Sequence, residues 1–173
     1  LTYFAPFNLT SVKRDASDTL LIGSEDGSAV RAKLLVAADG ANSRIRQLAG
    51  FATREWDYGH DAIVNTVQTD KPHGATAWQR FIHTGPLAFL PLAGDGEQRH
   101  CSIVWSVVTN EAERLMGLSE AQFNDALTHA FESKLGAVRS SDKRFRVPLR
   151  QRHATEYFRD GIVLVGDAAH SIH

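Results

Sequence analysis

The sequence predicts an α/β (α+β) chain: a mixed, largely antiparallel sheet with helices on one side, set between two pieces of a parallel-sheet domain. Three observations predict it. Short, continuously apolar runs stand near both ends, at residues 34–38 and 161–165, and each enters a corner made of glycine and aspartate. The middle alternates apolar and polar residues over long stretches, as half-buried antiparallel strands do. Two segments with helical spacing follow those strands.

The elements follow in order. Residues 7–15, 19–26 and 28–39 read as strands, separated by the turn signals at 15–18 and 25–28. The last of them turns continuously apolar at Leu34 and reads as a strand buried on both faces. It ends at Asp39-Gly40, after which Asn42 or Ser43 can cap a short helix that Gly50 closes. Residues 55–69, 75–83, 86–92 and 99–109 read as long antiparallel strands, and Cys101, Ile103, Trp105 and Val107 share one face by period-two counting. Asn110 with Glu113, and Ser119 with Gln122, have capping-box spacing. In the second helix Phe123, Leu127, Ala130 and Phe131 fall on one stripe, which should pack on that sheet. A polar stretch at 140–146 leads to another extended segment, and GIVLV returns as a short buried strand. The ends then belong to one dinucleotide-binding domain, with the middle inserted into it.

Composition excludes several function classes. The 173 residues are 43% hydrophobic, enough to bury a core. The net charge of −1, with both signs interspersed, argues against a nucleic-acid partner. No apolar run approaches the roughly 20 residues that cross a bilayer. The single cysteine, Cys101, excludes an internal disulfide and favours a cytoplasmic setting.

Two corners carry chemistry. In LLVAADGANSRIR, residues 34–46, a strand meets a glycine turn and a helix start. Asp39 can accept a hydrogen bond from a sugar hydroxyl, and Arg46 can pair with a phosphate or lock the loop. In GIVLVGDAAH, residues 161–170, Gly166 permits an unusual backbone angle, Ala168 and Ala169 leave room, and Asp167 stands at a strand's carboxyl end, where open α/β sheets bind ligands. The plainer reading makes both of them strand–turn–helix corners with capping aspartates.

Taken together, the two corners resemble the flavin motifs of the FAD-dependent aromatic hydroxylases, the class that includes 4-hydroxybenzoate hydroxylase. Residues 39–46 resemble their D-G-x-x-S-x-x-R motif, and residues 161–170 their strand leading to G-D-A-A-H. WDYGHDAIV, TAWQRF and GPLAFLPL look like the ubiquinone-biosynthesis branch, which oxidises polyprenylated phenols. The resemblance implies remnants of a Rossmann-like FAD-binding domain at 1–50 and 156–173, around a substrate-binding domain at 51–155. It implies FAD held by Asp39, Gly40, Ser43, Arg46, Gly166, Asp167 and Ala168. NAD(P)H would be the electron donor, and one oxygen atom from O2 would go to an electron-rich aromatic ring. No side chain is expected to act as nucleophile or base, because the flavin carries the chemistry. Trp78, Phe81 and Phe89 are candidates for the substrate pocket, with ordinary sheet packing as the alternative for each.

The family also has an early G-x-G-x-x-G loop and a P-x-x-G-Q-G segment after the second motif, and neither stands in these residues. With no initiator methionine, the chain reads as an internal fragment that is inactive alone. The alternatives are a flavin hydroxylase of another aromatic, such as a catabolic phenol or salicylate, and a non-enzymatic stable fragment or binding module. Asp167, His170 and His173 have a spacing that zinc could use, but the flavin motif explains the same residues and no metal is expected. Residues 143–152, rich in Lys and Arg, read as a solvated surface, with a membrane surface or another ubiquinone-biosynthesis protein as the functional alternative.

Overall fold

The computed structural model describes residues 2–94 and 96–171. The chain divides into two units, Leu1–Trp56 with Arg150–His173, and Asp57–Leu149.

In the first unit, β1 (Leu9–Arg14), β2 (Leu20–Ser24) and β3 (Ala29–Ala32) form an antiparallel meander. Next come β4 (Leu35–Ala37) and the helix α1 (Arg44–Leu48). Residues 28–39, read above as one strand, are therefore two strands broken at Lys33-Leu34, because β3 pairs with β2 while β4 pairs with a strand near the other end of the chain. That strand is β12 (Ile162–Leu164), which β11 (Phe158–Arg159) joins to make the order β11-β12-β4. The expectation that the apolar run is buried on both faces is also corrected. Val36 is 50% exposed, so the face of β4 on which it stands is only partly covered among the described residues. Leu20, Ile22, Ala37, Ile45, Phe51, Ile162 and Leu164 form this unit's core.

The second unit is built on β5 (Thr53–Thr69), β6 (Trp78–Ile82), β7 (Gly85–Pro91) and β8 (His100–Val108), hydrogen-bonded in the order β5-β8-β7-β6. Period-two counting holds along β8, where Cys101, Ile103, Trp105 and Val107 all point into one core with Ile63, Val67, Leu87 and Phe89. The helices α2 (Thr109–Gly117) and α3 (Glu120–Ala130) cover that face. Leu115 of α2, Phe123 and Leu127 of α3, and Phe131 after it are buried in the same core. Each such side chain contributes roughly 1.5–3 kcal/mol on burial.

Capping separates the two helices. Ser119 makes a full capping box with Gln122. Asn110 does not cap, because α2 starts at Thr109 and places Asn110 inside the first turn. Two strands follow: β9 (Val138–Ser141), which pairs with β5 and lies partly in the stretch read as polar connection, and β10 (Phe145–Ala154). In the stretch 143–152, read as a solvated surface, Lys143, Arg146 and Arg150 are exposed, and two of the arginines also make internal contacts. Arg144 donates to the carbonyls of Leu115 (2.7 Å) and Leu118 (2.6 Å) at the end of α2, and Arg146 donates to the buried carboxylate of Asp61 at 3.1 Å.

Candidate functional site

Both corners leave the same edge of one parallel strand pair. β4 and β12 run in register, Leu35 opposite Ile162 and Ala37 opposite Leu164, and Val165 N–H donates to the Ala37 carbonyl at 2.9 Å. Strands so paired lie about 4.8 Å apart. The chain therefore exits both carboxyl ends side by side, at 38–43 and at 165–169. Ligands of open α/β sheets collect at such ends.

The first corner is organised by Asp39. Its carboxylate accepts from Ser43 Oγ at 2.5 Å, Arg44 N–H at 2.8 Å and Ile45 N–H at 3.1 Å, so it satisfies the first amides of α1. Ser43, wholly buried, is the N-cap and accepts from Arg46 N–H at 3.0 Å. Ser43 N–H in turn bonds the Gly40 carbonyl. Partial burial raises the Asp39 pKa, but the Ser43 hydroxyl and the Ile45 and Arg44 amides outweigh it and leave it below its ordinary 3.8. A carboxylate depressed in the folded state stabilises above its unfolded pKa, and that contribution is lost as pH falls through the folded value. The amide signals of Arg44 and Ile45, followed by NMR against pH, should titrate with a midpoint below 3.8. A midpoint at or above 3.8 would contradict the hydrogen-bonded carboxylate.

The second corner is a single 3-10 turn, Gly166–Ala168. Gly166 has φ +55°, a left-handed angle that glycine adopts without cost, and a Cβ placed there would meet open space. Ala168 and Ala169 are buried, and Ala154 N–H bonds the Ala169 carbonyl. The Asp167 side chain is exposed and has no partner among the described residues. The two acids therefore differ: Asp39 is spent on its own loop, while Asp167 is open to a ligand.

One side chain joins the corners. Arg46, 3% exposed, donates through Nη1 to the Ala168 carbonyl at 2.9 Å and through Nη2 to the Ala41 carbonyl at 2.6 Å. Of the two roles weighed from sequence, the loop lock is the one these contacts perform. Burial pulls its pKa down from the ordinary guanidinium value, and Arg152 nearby adds to this, while Glu55 and Asp39 oppose it. An arginine so placed stays cationic at neutral pH.

Sequence reasoning missed Arg152 and Glu55. Arg152 on β10 also donates to the Ala41 carbonyl and forms an ion pair with Glu55 on β5, Nε to Oε1 at 2.6 Å. It missed a ring cluster as well, in which His170 faces His153 (5.7 Å between centroids) and Tyr157 (5.9 Å), and Trp56 faces His153. His170 and Trp56 lie in stretches already singled out, but no local motif marks Glu55, Arg152, His153 or Tyr157.

The groups left open suit a cofactor that carries hydroxyl groups. Asp167 offers a free carboxylate to hydroxyls, Gly166 keeps the turn clear of a side chain, and His170 Nδ1 is a buried polar atom without a partner beside it. A hollow of about 720 Å³ lined by Arg14, Leu48, Phe158 and Gly161 lies instead at the amino end of β12, away from both corners. Among the described residues no group of three His, Cys, Asp or Glu could hold a metal ion, and the spacing that involved His173 falls outside those residues.

The pocket candidates part company. Trp78 lies opposite Phe89 on the β6–β7 pair, and both belong to the helix-side core, where Phe89 is 1% exposed and stacks on Phe131 at 4.2 Å. Arg80 shares that side and pairs with Glu132. Phe81 points the other way and is 79% exposed. It stands opposite Pro86 on the sheet face away from the helices, the face that also carries the half-buried row Ala88, Val104 and Val64, which is in register with Gln79.

Residues 8–173 match the family described as FAD binding domain. The chain is 36% identical over 173 residues to 3-demethoxyubiquinol 3-hydroxylase of Escherichia coli, covering 100% of this chain and 43% of that protein. It is 34% identical over 206 residues to the human mitochondrial ubiquinone biosynthesis monooxygenase COQ6, covering 99% of this chain and 42% of the relative. It thus spans about two fifths of the length of these relatives. Among solved structures, PqsL of Pseudomonas aeruginosa, a probable FAD-dependent monooxygenase, superposes with TM-score 0.73 at 19% identity, over 96% of this chain and 47% of that one. CmlS, a flavin-dependent halogenase, gives 0.67 at 16% identity, over 94% and 30%. These two show the shared fold. No helix among the described residues is long and apolar enough to cross a membrane.

Proposed function

The chain belongs to the FAD-binding-domain family, and from that premise we propose that it forms part of a flavin-dependent monooxygenase of ubiquinone biosynthesis. Its substrate is a polyprenylated phenol, NAD(P)H is the electron donor and O2 the oxidant. The observation that carries this reading is the bond of one buried guanidinium, Arg46, to both motif corners. FAD, when bound, supplies the redox chemistry between NAD(P)H, O2 and the aromatic ring.

The protein's own groups bind and orient. Asp167 accepts hydrogen bonds from ribityl hydroxyls, and Gly166 and Ala168 keep its turn narrow. Asp39, Gly40 and Ser43 shape the first corner, and Arg46 holds it against the second. In this reading residues 1–50 and 156–173 serve the cofactor, and residues 51–155 serve the substrate. The open sheet face with Phe81, Val64, Val104 and Ala88 offers apolar surface to a prenyl chain. Trp78 and Phe89 support that sheet from its helix side. A greasy substrate brings a cytoplasmic enzyme to the membrane surface and to other proteins of the same pathway.

The test is FAD titration followed by quenching of flavin fluorescence, with Asp167→Ala beside the unaltered chain. Losing a charge-assisted acceptor should weaken binding about tenfold or more. Equal affinity would remove Asp167 from the site. Turnover assays of the full-length polypeptide on a prenylphenol and on salicylate separate the substrates, and a higher kcat/KM on salicylate would overturn the assignment.

A further inference from the structure

We propose that Arg152, oriented by Glu55, is a positioning residue for the 39–46 loop, setting where the first corner stands for the cofactor. The inference rests on the FAD reading above.

The Ala41 carbonyl is the point of convergence. It accepts from two guanidiniums, Arg46 from the buried side and Arg152 from β10, 111 residues away in sequence. A carbonyl oxygen has two lone pairs, so these two donors saturate it. Residues 38–43 have little ladder bonding of their own, and within the corner the main chain contributes the Ser43 N–H to Gly40 bond. Arg46 ties the corner to Ala168, and Arg152 ties it to the strand framework. The Asn42 side chain adds a third contact, its Oδ1 3.5 Å from Arg152 Nη1.

Glu55 makes the arrangement tenable. Two like charges meeting at one carbonyl repel, and a carboxylate beside them offsets that repulsion. Glu55 accepts a hydrogen bond from Arg152 Nη2 through Oε2 at 3.3 Å, and its Oε1 stands 2.6 Å from Nε as an ion-pair contact. This leaves Nη1 directed at the loop. The Arg152 hydrogen bond leads the causes that hold the Glu55 carboxyl below its ordinary range. Lysine has no such fork and can reach the carbonyl or the carboxylate, but not both in this geometry.

The test is hydrogen exchange of the amides at 42–46, measured on the full chain with Arg152→Gln, Arg152→Lys, Glu55→Gln and the double variant R152Q/E55Q. FAD affinity is read in parallel. Arg152→Gln should speed exchange in the loop about tenfold and weaken FAD about tenfold, with exchange along β8 unchanged. Arg152→Lys should recover part of both effects. Glu55→Gln should add nothing once Arg152 is gone, since it acts through that side chain. Unchanged loop exchange in Arg152→Gln would overturn the proposal, and so would faster exchange throughout the chain, which marks a merely structural role. Weaker FAD binding with unchanged loop exchange would also overturn it, because Arg152 would then touch the cofactor itself. If the unaltered chain binds no FAD, the FAD reading fails, and exchange alone still decides whether Arg152 holds the loop.

Discussion

Replacing Gly85 by alanine is expected to destabilise the second unit by about 3–5 kcal/mol, the largest effect of a single methyl group in this chain. Two causes add. Gly85 has φ +133°, a backbone region that L side chains rarely adopt. Its Cβ would also stand 2.2 Å from the Ser106 carbonyl oxygen, a main-chain atom of the adjacent strand that cannot swing aside. The clash can be relieved only by parting β7 from β8, whose registered pairs continue from Leu87–Trp105 to Pro91–Cys101. Gly166→Ala is the comparison, because there the angle is left-handed but the space is open. It should cost about 1 kcal/mol. Urea unfolding checks both: the midpoint should fall far more for Gly85→Ala at unchanged slope. A loss under 1 kcal/mol for Gly85→Ala would mean that the hairpin yields where the structure shows it closed.

The second large effect is expected for Arg46→Met. Methionine fills a similar volume without donors, so the buried Ala168 carbonyl loses its guanidinium and the Ala41 carbonyl keeps only Arg152. Leaving buried acceptors unpaired costs about 2–4 kcal/mol here. The two corners should also move independently, and FAD affinity should fall by more than the tenfold expected for Asp167→Ala, because both motif loops lose their shared support. Thermal unfolding and the FAD titration measure the two consequences separately. Wild-type stability in Arg46→Met would show that the β4–β12 pair alone holds the corners together. Arg46→Lys should be intermediate, since one ammonium cannot span two carbonyls as a fork does.

Much of this architecture was legible in the residues. Period-two counting along 101–107 identified the buried face of β8, and the stripe of Phe123, Leu127 and Phe131 identified the helix that covers it. Those patterns are readable because burial acts on side chains at the element's own period. The capping spacing at Ser119 was right and that at Asn110 was not, because a cap depends on where the helix begins and α2 begins at Thr109, two residues before a helix capped by Asn110 would. Residues 28–39 read as one strand because propensity is local, while the break at Lys33 is made by two different pairing partners. Alternation placed Trp78 and Phe81 on opposite faces of β6 but could not choose between them. The choice came from α3 and Phe131, which cover the Trp78 side.

By itself the sequence determined the local terms: two glycine–aspartate corners after apolar runs, an alternating middle, and motifs whose spacing resembles those of flavin hydroxylases. Each depends on residues a few positions apart, whose chemistry needs no folded context. The tertiary structure alone decided that Arg46 binds Ala168 across 122 residues, that Arg152 meets Ala41 across 111, and that Asp39 is consumed by its own helix start while Asp167 stays open. Those facts depend on which strands pair and in what register. That is a property of the whole chain's burial and hydrogen bonding, which no short stretch of residues specifies.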